Sequence, residues 1–287
     1  MFDFRYHALS LAAVFIALVV GLLLGVAIGD KELVSSAQRD LRSSLRADVR
    51  KADSERDAAQ ARLREQQQFA DDVYPILTKD QLRGRRVGLV VLGNDDGAPD
   101  LIRRALQPTG ADLSLVAIVR ENVELDALAE RARGTRYAAL AGDPSLLDDL
   151  GRRAGIQMVL GGRLVGQVRT VLLQSLSGRF GGLDGVIVMR PTNIPKDKDT
   201  AKRLAILQDG IARGLVQTGV KVVGVERRAS DPSHIGWYRD RELSSVDNVD
   251  EQAGKAATVF LLAGAQGAYG RRDSAQALLP PVVGHVR

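Results

Sequence analysis

Residues 8–28 read ALSLAAVFIALVVGLLLGVAI, and this stretch decides the architecture of the chain. Ser10 is its only polar side chain, and it contains no charge. A helix of about 21 residues, rising ~1.5 Å each, matches the ~30 Å core of a bilayer and exceeds the ~7–15 apolar residues of a signal peptide. We predict a transmembrane helix over residues 8–29, after a short N-terminal end over residues 1–7. A buried core helix and a signal peptide cleaved near Gly29 are the alternatives.

Three glycines recur along this helix at four-residue spacing, at Gly21, Gly25 and Gly29. Residues four apart lie on the same face of a helix, and small side chains there let two membrane helices approach closely. The pattern therefore predicts helix packing through these glycines and a parallel homodimer.

Positive charge near the membrane helix does not settle which side the rest of the chain occupies. Before the helix stand the free amine and Arg5. The basic residues that follow it most closely are Lys31, Arg39, Arg42 and Arg46. This count points weakly against export of the C-terminal bulk, but long domains translocate largely regardless of flanking charge. The residue count leaves the orientation open.

The segment after the membrane helix has the composition of one long helix. Residues 33–73 contain no glycine or proline and are rich in Ala, Arg, Glu, Gln and Asp. A thin apolar seam runs along it at spacings of three, four and seven: Leu41, Leu45, Val49, Ala52, Ala59 and Leu63. We predict a helical stalk over residues 30–74 that resembles a weak coiled coil, with a single solvated spacer helix as the alternative. Pro75 is expected to end it.

After Gly84 short apolar runs alternate with helical patterns, which is typical of an α/β domain. The predicted strands cover residues 87–92, 113–119, 186–189 and 220–225, with a further strand at 137–141. The predicted helices cover residues 100–107, 125–133 and 200–218. This alternation predicts a three-layer, doubly wound domain with a mainly parallel sheet over residues 83–270.

The C-terminal region is predicted to hold a buried core helix and a tail. Asp247 is expected to cap this helix, whose apolar part at residues 256–265 is too short to span a bilayer. The tail over residues 271–287 is polar before its two prolines, which favours disorder, with docking in an extended form as the alternative.

Composition excludes several kinds of chemistry. The 40 Lys and Arg exceed the 35 Asp and Glu only slightly and are interspersed with them, so nucleic acid is not an expected partner. The absence of cysteine excludes disulfides, Cys-zinc sites and iron–sulfur clusters. Serine hydrolase and zinc protease motifs are absent, so we do not expect an enzyme. His234 lies in a segment of loop composition, which predicts a surface histidine.

The first predicted strand ends in Gly93, followed by Asn94, Asp95, Asp96 and Gly97. Ligands of parallel sheets usually lie at this carboxyl edge. Two acidic residues where a phosphate would lie disfavour a nucleotide, and no other cofactor is indicated. Turn chemistry accounts for these residue types, so we favour a solvated turn and keep Asp95 and Asp96 as candidate metal ligands.

Two segments resemble the actinobacterial copper transport proteins of the MctB type. One is RYHALSLAAVF at residues 5–15, running on through Gly21 and Gly25. The other is SVDNVD at residues 245–250, followed by the closing GAYG at residues 267–270. The order of elements between them is also similar, so the resemblance spans nearly the whole chain.

This resemblance implies an envelope protein in copper efflux or homeostasis, described even as an outer-membrane channel. It places the residues beyond Asp30 outside the cytoplasm, as a single-pass protein of the cell membrane with a cytoplasmic N-terminus. The chain also resembles the SteB-like partner in a membrane pair that controls cell-wall hydrolases at division. An envelope or division protein is therefore an implied partner.

Copper itself is implied by the resemblance alone. Selective copper sites use clustered sulfur or imidazole ligands, whereas this chain has no Cys, three Met and three scattered His. We therefore expect a non-catalytic support or channel-associated component of a copper pathway that does not itself carry the ion. The alternative is a scaffold that regulates cell-wall hydrolysis and division through partner binding.

Overall fold

The computed structural model describes residues 4–28, 31–94, 96–193 and 195–281. The chain divides into two compact units, Met1–Gln67 and Gln68–Arg287. Each unit is described separately below.

Two long helices account for the first unit and for the start of the second. They are α1, Phe4–Ile28, and α2, Lys31–Thr78. Within α1 the stretch Tyr6–Val26 has a mean hydropathy of 2.8, none of it is buried, and it is long enough to cross a membrane. The predicted N-terminal apolar helix is confirmed. Gly29 lies outside the described residues.

The second long helix does not end at its proline. Pro75 lies inside α2, which continues to Thr78. The end of the helix is held by the buried Tyr74, whose hydroxyl donates to the Ala105 carbonyl, and by Thr78, whose Oγ1 donates to the Tyr74 carbonyl at 2.8 Å. These contacts hold the last turn in helical geometry around the proline, which lacks an N–H to donate. The predicted stop at Pro75 was therefore wrong by one turn.

A single seven-stranded sheet forms the centre of the second unit, in the order β3-β2-β1-β4-β5-β6-β7. The strands are β1, Arg86–Val91; β2, Asp112–Val119; β3, Leu173–Gly178; β4, Gly185–Met189; β5, Lys221–Val225; β6, Ser244–Val246; and β7, Ala268–Tyr269. Every pair is parallel except β2 with β3. The predicted α/β class with a mainly parallel sheet is confirmed.

Seven further α-helices surround this sheet in the part of the chain that the structure describes. They are α3, Ala98–Leu106; α4, Leu125–Arg131; α5, Leu146–Leu160; α6, Arg163–Leu172; α7, Lys198–Gln217; α8, Ile235–Arg239; and α9, Gln252–Ala263. Side chains on alternate positions of a strand point to opposite faces, and β1 follows this rule. Val87, Leu89 and Val91 join one buried cluster with residues of α3 and α9. Val90 joins another with residues of α4 to α8.

The crossing of α5 and α7 depends on four glycines, spaced four residues apart on each helix: Gly151, Gly155, Gly210 and Gly214. A Cβ on Gly151 would lie 2.7 Å from the Leu207 carbonyl oxygen and 3.2 Å from the Gly210 Cα. Such distances leave no room for a side chain, so the two backbones are in direct contact. This is the close approach that small residues permit.

In the sheet domain the sequence predicted four strands and four helices that the structure contains, β1, β2, β4 and β5 with α3, α4, α7 and α9, but it missed several elements. The strands β3, β6 and β7 and the helices α5, α6 and α8 were not predicted. The stretch predicted as a strand at residues 137–141 is instead a 3-10 helix, Arg136–Ala139. The Thr135 hydroxyl accepts a hydrogen bond from the Tyr137 N–H at 3.2 Å and so starts a helical turn there.

The structure describes the C-terminal tail over residues 271–281, and residues 282–287 lie outside the described part. Gly270 N donates to the Ala277 carbonyl at 2.9 Å, and Gln276 N donates to the Ala268 carbonyl at 2.8 Å. Leu279 then packs against the cluster formed with α3 and α9. For residues 271–281 the expectation of disorder was wrong, because pairing along β7 satisfies the backbone and Leu279 finds an apolar contact.

Candidate functional site

The carboxyl edge of the sheet has its topological switch point between β1 and β4. The chain leaves β1 toward α3 and leaves β4 toward α7, and these helices belong to the clusters on opposite faces of the sheet. Open α/β sheets bind ligands in the crevice that such a divergence creates. Here the crevice encloses about 320 Å³. Its polar side chains follow β1, β4 and β5: Asn94, Asp96, Arg190, Thr192, Asn193, Arg227 and Ser230.

Asp96, one of the two candidate metal ligands, stands beside an arginine in this crevice. Its carboxylate is 90% exposed, and its Oδ2 lies 3.8 Å from the Arg227 Nε. The Arg227 guanidinium also donates to the Asp96 carbonyl. Asp95 lies outside the described residues. Among the residues that are described, no three His, Cys, Asp or Glu cluster as a metal site would require. A neighbouring cation opposes metal binding at Asp96, which favours the turn interpretation.

His234 is buried, with only 3% exposed, so the prediction of a surface histidine was wrong. Its Nε2 lies 3.0 Å from the Pro191 carbonyl and its Nδ1 lies 3.4 Å from an Arg190 nitrogen. Arg190 can only donate, so Nδ1 accepts and Nε2 carries the proton. Burial lowers the pKa of His234, and the charge of Arg190 lowers it further. With both nitrogens engaged, His234 has no free atom to activate a nucleophile.

Arg190 is the centre of this network. Its Nε donates to Gln208 Oε1 at 2.9 Å, and its guanidinium lies 5.1 Å from the centre of the Trp237 ring. Its backbone N–H donates to the Tyr238 hydroxyl at 2.9 Å, and that hydroxyl donates to the Val225 carbonyl at 2.9 Å. The network therefore ties the ends of β4 and β5 to α7 and α8. The local sequence signal for this network is the adjacent pair Trp237 and Tyr238, in a chain with one tryptophan.

A buried carboxylate lies one strand further along the edge. Glu226 follows β5 and is fully buried. It accepts hydrogen bonds from the His234 N–H at 2.5 Å and the Ser233 hydroxyl at 2.8 Å, and it pairs with Arg272 Nε at 2.8 Å. Burial raises the pKa of Glu226, while these donors and the charge of Arg272 act in the opposite direction. The carboxylate thus holds the loop before α8 and the turn after β7.

The SVDNVD segment at residues 245–250 joins the end of β6 to the turn after β7 at the same edge. The sequence predicted that Asp247 caps α9, but Glu251 occupies that position. The buried carboxylate of Asp247 instead accepts hydrogen bonds from the backbone N–H groups of Arg271 and Arg272, both at 2.8 Å. Gly270 has φ +142, and a Cβ there would lie 2.5 Å from Asp247 Oδ2. Both halves of the C-terminal motif, SVDNVD and GAYG, are therefore in direct contact in the folded domain.

Among the described residues, the two methionines that could offer sulfur to copper lie in the core on opposite faces of the sheet. Met158 on α5 is fully buried among the residues of α4 to α8, and Met189 in β4 is buried in the opposite cluster. The chain has no cysteine to add a further sulfur ligand. These two methionines do not form a shared ligand set.

The fold and this edge define an α/β protein with a mainly parallel sheet and an N-terminal helix long and apolar enough to cross a membrane. The chain belongs to the MctB family, because the family model described as "Copper transport outer membrane protein, MctB" matches residues 1–280. The resemblance found in the sequence is thereby confirmed.

Curated relatives agree with this assignment. The chain is similar to the copper transporter MctB of Mycobacterium tuberculosis, strain H37Rv, and to that of Mycobacterium bovis, strain AF2122/97. Each is 24% identical over 294 residues, which cover 91% of this chain and 92% of the relative. The family model, which matches residues 1–280, includes both the apolar helix and the sheet domain.

Proposed function

We propose that this protein is a single-pass, membrane-anchored envelope protein that supports copper homeostasis through protein contacts and does not itself carry the ion. The family assignment supports the copper-related part of the proposal. The observation that supports a protein that does not itself carry the ion is the lack of a cluster of metal-ligating residues among the described residues. Copper-selective sites need several soft ligands within one coordination sphere.

The helices offer the surfaces for such contacts. The glycine face of α1 is open, because a Cβ on Gly21 or Gly25 would meet no atom within 4 Å. The seam of α2 is also exposed, with Leu41 at 60% and Val49 at 59%. We propose that α1 packs against a second copy of the chain and that α2 pairs as a coiled coil. Two helices already held together by α1 would pair at a high effective concentration.

The orientation and the finer architecture are parts of the same proposal. The family's description as an outer membrane protein supports a sheet domain outside the cytoplasm, and with it a cytoplasmic N-terminus. Helix residues in the clusters on both faces of the sheet support a three-layer, doubly wound domain. A non-enzymatic role is supported by the engagement of His234, described above. A scaffold that regulates cell-wall hydrolysis through a partner remains the alternative, supported by the same exposed helices.

The copper part is tested by titrating the full chain, purified in detergent, with Cu(I) and Cu(II). We expect no binding tighter than micromolar, and the Asp96→Asn variant is expected to match the parent protein. Stoichiometric sub-micromolar binding would overturn the proposal that the protein does not carry the ion. Capture of partners from membranes, with Gly21→Leu/Gly25→Leu as the comparison variant, separates a copper pathway from a cell-wall scaffold by the class of protein recovered.

A further inference from the structure

A groove of about 520 Å³ lies away from the carboxyl edge, between the 3-10 helix, α5 and α6. Four arginines line it: Arg136, Arg152, Arg153 and Arg163. Its other lining residues are mixed, with Thr135, Gln157 and Gln167 beside Gly134, Tyr137 and Leu164. The groove is therefore strongly basic and takes no part in the network around Arg190.

Asp149 neutralises only part of this charge. Its carboxylate pairs with Arg152 at 2.5 Å and with Arg136, and it also accepts from the Tyr137 hydroxyl at 2.5 Å. Neither Arg153 nor Arg163 has an ion-pair partner within 4.0 Å among the residues that the structure describes. Both side chains are exposed. Two guanidinium groups from two different helices are thus available to an anion from solution.

The start of α6 adds to the positive potential. The helix begins at Arg163 after Gly162, which has no side chain to cap it, and its first turn contains no acidic residue. Gln157 Oε1 accepts the Val165 N–H at 3.0 Å, so one backbone donor is already engaged. The N-terminal end of a helix carries a partial positive charge that favours anions. This partial charge adds to the positive potential of the groove, most of which comes from the arginines.

We propose that this groove binds a small phosphate-bearing ligand, with Arg153 and Arg163 as its charged contacts. The planar guanidinium donates two parallel hydrogen bonds that match the oxygen atoms of a phosphate. A volume of about 520 Å³ exceeds that of a phosphate ion and lies in the range of pockets that hold a phosphate together with a sugar or headgroup. The amide and hydroxyl groups of Thr135, Gln157 and Gln167 could bind the hydroxyl groups of such a carrier, while Tyr137 and Leu164 offer it apolar contact.

The test is the binding of pyrophosphate to the full chain in dodecyl maltoside micelles, measured by calorimetry. Arg153→Gln/Arg163→Gln is compared with Arg131→Gln/Arg169→Gln, which removes the same charge at exposed arginines outside the groove. We expect the groove variant to weaken binding at least about tenfold and the control by less than about twofold. Arg153→Lys/Arg163→Lys keeps the charge but loses the planar guanidinium groups. Its loss of pyrophosphate binding should lie between those of the other two variants.

Two outcomes would overturn the proposal: no binding of pyrophosphate to the parent protein, or equal losses in the groove and control variants. A melting curve of each variant, followed by the fluorescence of Trp237, separates lost binding from lost folding. The source of the phosphate is distinguished by adding phosphatidylglycerol to the micelles. Weaker pyrophosphate binding with the lipid supports a headgroup ligand, and unchanged binding supports a soluble one.

Discussion

Asp149 shows how one carboxylate can organise several elements. It joins the 3-10 helix to α5 through the Tyr137 hydroxyl and two guanidinium groups. Partial burial raises the pKa of Asp149, but hydrogen bonds from Tyr137, Arg152 and Arg136 outweigh it and hold the pKa at about 2. Because the folded-state pKa lies below the unfolded value of about 4, its contribution to stability is complete above pH 4 and is lost as the pH falls through about 2.

Replacing Asp149 with asparagine should therefore destabilise the domain at neutral pH by about 1 kcal/mol, since partly exposed ion pairs contribute little. The difference from the parent protein should shrink as the pH falls from about 4 toward 2. Urea unfolding in detergent, followed through the single Trp237, measures both. Asp148→Asn, which removes the more exposed pair with Arg213, is the matched control and should cost less. A pH-independent loss would contradict the assignment.

The residue scale is also where prediction from sequence reached its limit. The residues around His234 have loop composition, and nothing local revealed that Arg190, directly after β4, and Glu226, directly after β5, contact it. Burial of a polar side chain depends on partners that are distant in the chain. The acidic turn after β1 was easier to interpret, because turn preferences are local.

At the scale of elements, the sequence predicted those whose signal lies within a few residues. The strands β1, β2, β4 and β5 are rich in apolar residues and contain three β-branched residues each, which favours the centre of a parallel sheet. Strand β6 begins Ser244-Ser245 and β7 has two residues, so neither carries such a signal. Helix α5 was missed because Gly151 and Gly155 lower its helix propensity. Those same glycines are required by its contact with α7.

The α5–α7 crossing gives a sharp test of this explanation. Gly151→Ala places a methyl group 2.7 Å from the Leu207 carbonyl oxygen, so we expect a loss of about 1–3 kcal/mol from overpacking. Gly166→Ala on α6 meets no atom within 4 Å and should instead stabilise by about 0.5–1 kcal/mol, because alanine favours the helix. Urea unfolding of the two variants compares them. Equal effects would show that helix propensity, and not the crossing, sets the result.

The glycines of α1 carry a second prediction at this scale. If the chain forms a dimer through this face, Gly21→Leu/Gly25→Leu should abolish the dimer, since leucine keeps the backbones apart. Val19→Leu/Val26→Leu enlarges side chains of the same helix away from the Gly21 face and serves as the control. Energy transfer between labelled chains in micelles measures association. Equal transfer in both variants would exclude this face as the interface.

At the scale of the whole molecule, the sidedness of the sheet domain decides which partners it can meet. A reporter fused after Arg287 should be active as alkaline phosphatase and dark as a green fluorescent protein, because we propose that the C-terminal bulk lies outside the cytoplasm. The same fusions on a chain lacking residues 1–30 should reverse both signals. A fluorescent full-length fusion would place the domain inside the cell and remove cell-wall hydrolases from the candidate partners.

Residues 276–277 run alongside β7 and cover the outer edge of the sheet there. The outer edge of an open sheet is a row of unpaired donors and acceptors that can template pairing with a neighbouring molecule. Here the chain's own residues 276 and 277 occupy that row over Ala268 to Gly270. Copies of the chain that the proposed membrane anchor brings close together therefore cannot pair through this edge, and a foreign strand can add there only after these residues are displaced.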